Sequence, residues 1–217
     1  MKAIGTNSIR SLWGSRLPRC KSAIICALGI LAAAEAEAST MLGRVRAALD
    51  TIQPFRAVFV QQAIIEGRKE IEEKGIIVFK NPAWIKCQYL EPENRVFLYE
   101  GDSYQYYEAD ARQLTRGRLG PDRKEFVLNL LCANDLSDEF VASERERTIF
   151  LTARGSQAPL ALEVHLGRDF LPEKVIQNDD SGVQTIYLFS QYQKITGSAA
   201  NDFQFAIPED VDIIEAD

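Results

Sequence analysis

The sequence lacks the residues and motifs on which most hydrolytic and phosphate chemistry depends. It has a single histidine, His165, in 217 residues, and it contains no Gly-x-Ser-x-Gly, no His-Glu-x-x-His and no Gly-x-x-x-x-Gly-Lys. A nucleophile elbow, a zincin site and a P-loop are therefore excluded. A lone histidine in an alternating run such as 160–166 is typical of a surface or pairing residue. We expect no enzymatic activity, no cofactor and no metal.

Acidic residues are missing from the first 34 positions, which carry five basic residues. An apolar run of twelve residues, 23–34, ends this stretch, and Ala36-Glu37-Ala38 supplies small residues at the two positions that a signal peptidase reads. The pattern predicts a cleavable signal peptide over 1–38 and a mature domain over 39–217. Cleavage before Ser39 competes with cleavage after Ala34-Glu35-Ala36.

Two other interpretations of the start of the chain are weaker. Twelve apolar residues are too few to cross a bilayer core of about 30 Å as a helix, which disfavours an uncleaved anchor. A mitochondrial transit peptide shares the basic, acid-poor start, but the compact apolar run favours secretion. We therefore expect an exported protein.

Basic clusters are also absent from the predicted mature chain. Without 1–38 it has 20 basic and 29 acidic residues, a formal charge of −9 against −6 for the full sequence. Such a domain is poorly suited to nucleic acid or to anionic headgroups. We expect no nucleic-acid partner.

Cysteine is scarce, with only Cys87 and Cys132 left after processing. In an oxidising compartment the two can pair. Cys87 lies in an apolar strand pattern and Cys132 at the end of a Leu-rich helical pattern, so a disulfide and two buried free thiols both stay open.

Hydrophobic periodicity predicts about ten strands and two or three helices. Apolar residues recur at helical spacing over 42–52, with Thr40 as N-cap and Pro54 as a stop, and again over 126–131. Period-two patterns separated by turn residues predict strands at 55–64, 69–80, 84–90, 95–100, 104–108, 148–153, 160–166, 171–178, 183–189 and 202–207.

Strands joined by such short turns predict one antiparallel sheet in an α+β fold. A sheet this long must curl, so we expect an unclosed half-barrel with the helices as a lid on its concave face. The runs 96–99 and 104–107 place bulky side chains on both faces. Two helices are too few to cover a wide half-barrel, which suggests that a hydrophobic ligand covers part of it.

The order of several short motifs resembles the LolA family of bacterial periplasmic lipoprotein carriers. The motifs are Gly75-x-x-x-x-Lys80-Asn81-Pro82, Tyr89-x-x-Pro92, Tyr99-Glu100-Gly101-Asp102-Ser103-Tyr104-x-x-Tyr107, Gln113-x-Thr115, the run 126–131, Leu171-Pro172-x-Lys174 and the tail Asp202-Phe203-Gln204-Phe205-Ala206-Ile207-Pro208-x-x-Val211-Asp212. They extend over essentially the whole mature chain.

The resemblance implies a half-barrel whose hydrophobic cavity shields the acyl chains of lipoproteins. It also implies partners at two membranes, an ABC-type lipoprotein release complex in the inner membrane and a lipoprotein receptor in the outer membrane, and a monomeric carrier. On this basis the cavity is predicted to be lined by Phe59, Val78, Ile85, Cys87, Phe97, Tyr99, Tyr104 and Tyr106, with Phe126, Leu130 and Leu131 from the lid.

Some positions depart from the family pattern. Asn81, preceded by Lys80, stands where the family commonly has an arginine that hydrogen-bonds the lid, and these two residues become candidate lid latches. Ile85 and Cys87 replace a usual Phe and Trp.

Two other kinds of function remain open. The same half-barrel surface suits a lipoprotein-sensing protein, or an envelope structural or assembly protein in which it is a permanent protein interface. An enzyme acting on glycans or lipids would need paired carboxylates in a cleft. The pairs Glu72-Glu73 and Asp179-Asp180 are more typical of solvated runs and turns.

Overall fold

The computed structural model describes residues 40–118, 140–154, 161–178, 182–196 and 202–216. The one helix within these ranges, α1 (Met41–Ile52), begins where the sequence predicts, because the Thr40 hydroxyl accepts a hydrogen bond from the Gly43 amide at 3.0 Å. It ends where the Gln53 amide donates to the Leu49 carbonyl at 2.9 Å. Pro54 follows, so the helix cannot continue.

Twelve strands make up the rest of the described secondary structure. They are β1 (Phe55–Ile65), β2 (Arg68–Asn81), β3 (Trp84–Glu91), β4 (Arg95–Glu100), β5 (Ser103–Glu108), β6 (Gln113–Arg118), β7 (Phe140–Arg145), β8 (Thr148–Ala153), β9 (Ala161–Leu166), β10 (Pro172–Asn178), β11 (Val183–Lys194) and β12 (Asp212–Ala216).

All twelve strands belong to one sheet, in the order β12-β6-β5-β4-β3-β2-β1-β11-β10-β9-β8-β7. Consecutive strands pair antiparallel as a meander on each side of the β1/β11 pair, while β12 pairs parallel with β6. β12 and β7 lie at opposite ends, so the described strands form an unclosed, curled sheet. The predicted single sheet is confirmed.

The strand predictions differ from the structure at four places. β6, β7 and β12 were missed, which raises the count from about ten to twelve. The strand predicted at 202–207 is wrong, because this segment lies across a face of the sheet instead of pairing with a neighbour. Alternating apolar residues thus reflect packing of one side of the segment and not a ladder of backbone hydrogen bonds.

The two faces of the sheet are covered differently. We call the face against which α1 packs the helix face. Its core combines Val45 and Leu49 of α1, neither of which is exposed, with side chains from β1 to β3 and β7 to β11. The opposite face has two smaller clusters, which residues 202–211 cover. The second predicted helix, at 126–131, lies outside the described residues, and the helical lid stays a prediction.

A half-buried aromatic surface as the candidate functional site

The register of β3 to β6 places a group of aromatic side chains on the helix face. Tyr99 pairs with Ile85 on one side and with Tyr104 on the other, and Phe97 pairs in the same way with Cys87 and Tyr106. Residues directly opposite each other in a ladder share a face. We call the half-buried residues of this group, Tyr89, Phe97, Tyr99, Tyr104 and Tyr106, the aromatic surface.

The aromatic surface continues the buried core without a polar break. Phe79 and Ile85 have no exposed surface and lie in the same row across the sheet as Tyr99. Phe97 and Tyr104 stack with ring centroids 5.9 Å apart and planes inclined by 9°. The apolar character therefore persists from the closed core to side chains that water still reaches.

Two glycines make room for rings on this face. A Cβ at Gly117 would lie 2.8 Å from a ring carbon of Tyr104, and a Cβ at Gly75 would lie 2.7 Å from the ring of Phe59 and 2.3 Å from the Gln88 carbonyl oxygen. All three distances are well below van der Waals contact. Any other residue at these positions would displace the aromatic side chain above it.

Polar groups border the aromatic surface on one side. Arg95 lies two residues before Phe97 and pairs across the ladders with Tyr89 and Glu108. Its guanidinium forms an ion pair with Glu73 and lies 4.8 Å from the centroid of the Tyr89 ring. These polar side chains therefore form one continuous border. It lies directly beside the aromatic surface, because Arg95 and Phe97 are neighbours on the same face of β4.

The hydroxyl groups at this border are held by hydrogen bonds. Tyr89 donates to Gln61 Oε1 at 3.0 Å, and Tyr106 donates to Glu108 Oε1 at 3.1 Å. Burial raises the pKa of both phenols, because the phenolate would lose its hydration. Both groups therefore act as neutral hydrogen-bonding groups near neutral pH.

Seven of the predicted cavity residues lie on the helix face: Phe59, Ile85, Cys87, Phe97, Tyr99, Tyr104 and Tyr106. Cys87 is a buried free cysteine, and burial raises the pKa of its thiol. Phe126, Leu130, Leu131 and Cys132 lie outside the described residues. Whether the residues contact a ligand stays a prediction.

One predicted cavity residue, Val78, does not lie on the helix face. Strand alternation puts it on the opposite face from its neighbours Ile77 and Phe79, and it packs with Trp84 and Leu98. Phe203 covers this cluster, with its ring 4.9 Å from the Trp84 ring at 89°. Val78 was placed on the wrong face because the apolar run 76–79 gives no alternation from which to choose one.

The contacts described for the two candidate latch residues, Lys80 and Asn81, are not with a helix. The Lys80 ammonium lies 5.5 Å from the centroid of the Phe203 ring, on the opposite face. The Asn81 side-chain oxygen accepts a hydrogen bond from the Ala83 amide at 2.9 Å, which stabilises the turn between β2 and β3. Their role as latches stays a prediction that no contact of the described residues supports.

Sequence reasoning missed the partly buried ion pair of Arg95 and Glu73, since it treated Glu72 and Glu73 as solvated. The side chains of Arg95 and Glu73 are only 21% and 13% exposed. A signal was present, because Arg95 is in phase with Phe97 and Tyr99 on β4 and must share their face.

Other chemistry has little support in the described part of the chain. His165 is partly exposed, with Nε2 2.8 Å from Glu163 Oε1 and Nδ1 3.3 Å from Thr148 Oγ1, as a pairing residue would be. The described residues contain no cluster of three or more His, Cys, Asp or Glu that could hold a metal. They also include no helix long and apolar enough to cross a membrane.

Comparison with known proteins identifies a family. Residues 50–206, more than two-thirds of the chain, match the family described as "Outer membrane lipoprotein carrier protein LolA". The chain belongs to the LolA family. This confirms the resemblance that the order of motifs indicated.

The named relatives are distant but extend over most of both chains. An outer-membrane lipoprotein carrier protein of Chromobacterium violaceum is 25% identical over 211 residues, which cover 90% of this chain and 96% of the relative. A protein of the same name from Pseudoalteromonas translucida is 24% identical over 178 residues, 76% of this LolA-family chain and 82% of the relative.

A solved structure supports the fold. An uncharacterized conserved protein from Thermus thermophilus superposes with a TM-score of 0.51 at 16% identity, covering 81% of this chain and 97% of that one. The curled sheet of this LolA-family member is thus also found in an experimental structure.

Proposed function

We propose that this protein is a non-enzymatic periplasmic chaperone that binds the acyl chains of lipoproteins on the helix face of its sheet. The observation that carries the proposal is the aromatic surface, which extends the buried core but is itself only half covered. Family membership and the names of the relatives support lipoproteins as the cargo.

The physical need for such a surface follows from the cargo. Each methylene removed from water contributes about 0.8 kcal/mol, so one long acyl chain resists exposure by roughly 10 kcal/mol. Several chains attached to one protein would not leave a membrane unshielded. Rings that are already half buried in the empty protein reduce the cost of releasing the cargo. When the acyl chain leaves, little additional hydrophobic surface of the protein has to be exposed to water.

The route is part of the proposal. A signal peptide over 1–38 would deliver the domain 39–217 to the periplasm. There an ABC-type release complex in the inner membrane would load it, and an outer-membrane lipoprotein receptor would accept the cargo. A carrier that works alone between two membranes is expected to be a monomer when empty.

Binding of an environment-sensitive acyl probe by the protein expressed from the full sequence and purified from the periplasm tests the proposal. We expect saturable binding, displacement by an acylated lipoprotein, and loss of at least about tenfold in affinity in Tyr104→Glu, because the carboxylate must be desolvated beneath the chain. Ile213→Glu is the matched control, since Ile213 is 51% exposed and lies on the other face from the aromatic surface. It pairs with Leu114, whose side chain belongs to the cluster on that opposite face. Equal binding by wild type and Tyr104→Glu would overturn the site.

The alternative in which this surface is a permanent protein interface is decided by the same preparation. A stable oligomer in light scattering, together with no probe binding, would favour an envelope assembly or sensing role over transport. A monomer that binds the probe favours the carrier.

A further inference from the structure

The ion pair at the border of the aromatic surface has unused hydrogen-bonding capacity. A guanidinium offers five N–H donors. Among the described contacts, Arg95 uses Nη2 on Glu73, and Nη1 approaches the Tyr106 hydroxyl at 3.5 Å, the outer limit of a hydrogen bond. Its Nε is buried and has no hydrogen-bond partner among the described residues. Since buried donors are normally satisfied, this arginine is poorly matched to its own protein neighbours.

The charges around Arg95 restrict what an additional partner can be. On the same face lie the carboxylates of Glu73, in the ion pair, and Glu108, which pairs with Arg95 across the β4/β5 ladder. One guanidinium and two carboxylates leave a local charge of −1. A carboxylate or phosphate brought to this place meets a net repulsion, whereas a neutral carbonyl oxygen accepts a hydrogen bond without adding charge.

The position of Arg95 joins this polar group to the apolar surface. Arg95 and Phe97 are two residues apart on one strand, about 7 Å along the sheet. Tyr106 links the two regions, because its ring belongs to the aromatic surface and its hydroxyl donates to Glu108. A hydrocarbon chain lying over Phe97 and Tyr106 would therefore place its first polar atoms beside Arg95.

We propose that Arg95, with Glu73, Tyr106 and Glu108 around it, is a subsite for the neutral ester and amide carbonyls that attach acyl chains to a lipoprotein. The inference rests on the proposed acyl-binding function and adds the polar end of the cargo to it. It assigns selectivity as well as affinity: acyl esters and amides with a neutral group beside them bind, and the same chains with a phosphate beside the ester linkages, or ending in a free carboxylate, are disfavoured.

Competition against a bound neutral acyl-ester probe tests the proposal on the full-length protein. The competitors are an uncharged synthetic diacylated lipopeptide with an acetylated N-terminus and an amidated C-terminus, a diacylglycerol and a phosphatidic acid, all with the same acyl chains. We expect the lipopeptide and the diacylglycerol to displace the probe at similar concentrations and the phosphatidic acid to require about tenfold more. Equal displacement by all three, or better displacement by the phosphatidic acid, would overturn the subsite.

Two sets of variants locate the selectivity. Arg95→Leu with Glu73→Leu and Glu108→Gln removes all three charges of the subsite, so no unpaired ion is left there, and we expect the tenfold preference to fall to less than about threefold while the probe still binds. Arg118→Leu with Asp102→Leu is the matched control, because it removes an ion pair whose side chains are 80% and 73% exposed. Unchanged preference in the triple variant would contradict the assignment.

The outcomes separate this proposal from the proposed function. If the wild-type protein binds no acyl probe, both fall. If it binds the probe but treats neutral and anionic competitors alike, the carrier function stands and the subsite falls. The wild-type comparison needs no variant, so it decides even if the triple variant does not fold.

Discussion

The two faces of β4 differ although one continuous apolar run forms both. Val96 and Leu98 on the opposite face are 4% and 8% exposed, whereas Phe97 and Tyr99 on the helix face are only half buried. On the opposite face the protein supplies its own cover, residues 202–211. An apolar residue on a strand therefore does not by itself indicate either a permanent core or a ligand site. Which of the two it belongs to depends on what covers its side chain.

The cover of the opposite face is made of specific contacts. Phe203 packs on Trp84, and Phe205 packs on Tyr107 with ring centroids 5.2 Å apart. Lys86 adds a hydrogen bond from its ammonium to the Gln204 carbonyl at 3.2 Å. This face has become part of the folded core, and we expect substitutions there to affect stability and not binding.

The largest expected effect is the loss of stability when a large side chain is removed from the covered face. Trp84→Ala should lower the free energy of unfolding by about 3–5 kcal/mol, since Trp84 is 8% exposed and its removal leaves a cavity beneath Phe203. Phe97→Ala should cost less than about half of that but should weaken acyl binding. Urea titration and probe binding measure the two effects, and equal stability losses would erase the distinction between the faces.

A smaller effect sharpens the assignment of residues 202–211 as a cover. The edge-on contact between Trp84 and Phe203 should give a coupling free energy of about 0.5–1.5 kcal/mol in a double-mutant cycle. The cycle uses Trp84→Leu, Phe203→Leu and the double variant, compared by urea unfolding. A coupling near zero would mean that the segment does not hold to the sheet in solution.

The smallest effect concerns the helix face at high pH. Burial raises the pKa of Tyr89 in the folded state, while in the unfolded chain the phenol ionises near pH 10. The unfolded state therefore loses this proton first, and stability that is fully present below about pH 10 falls above it, by at most about 1.4 kcal/mol per pH unit for one group.

Tyr89→Phe isolates this contribution. Unfolding free energies are measured for wild type and variant at about pH 8, 10 and 11. The wild type should lose stability relative to Tyr89→Phe as the pH rises, because the variant lacks the ionising group. Tyr192→Phe is a useful companion, since burial also raises the pKa of Tyr192. Identical pH slopes in wild type and Tyr89→Phe would show that water reaches the Tyr89 hydroxyl.

The sequence predicted most of what local pattern controls. The capping residue Thr40, the helix that follows and the hairpins from β1 to β5 are encoded by period and turn residues within short windows. The family resemblance rested on the order of such local motifs. Seven cavity candidates fell on one face because strand alternation fixes relative orientation once one residue is placed.

What was missed depends on pairing between distant parts of the chain. The polar residues of β6 and β7 gave no alternation to detect, and β12 pairs with β6 only after residues 202–211 have crossed the opposite face. The ion pair of Arg95 and Glu73 joins two strands that are not neighbours in the sheet, because β3 lies between β2 and β4. No short window contains either fact.

The parallel pairing of β12 has a consequence for the order in which this protein folds. Asp212 pairs with Gln113, so one edge of β6 has no strand partner until residues almost a hundred positions later are available. During that interval the meander β1 to β6 exposes an unpaired strand edge, which is a template for aggregation. Contacts so distant in sequence also slow folding. In the described sheet this edge is covered only once β12 has paired with β6.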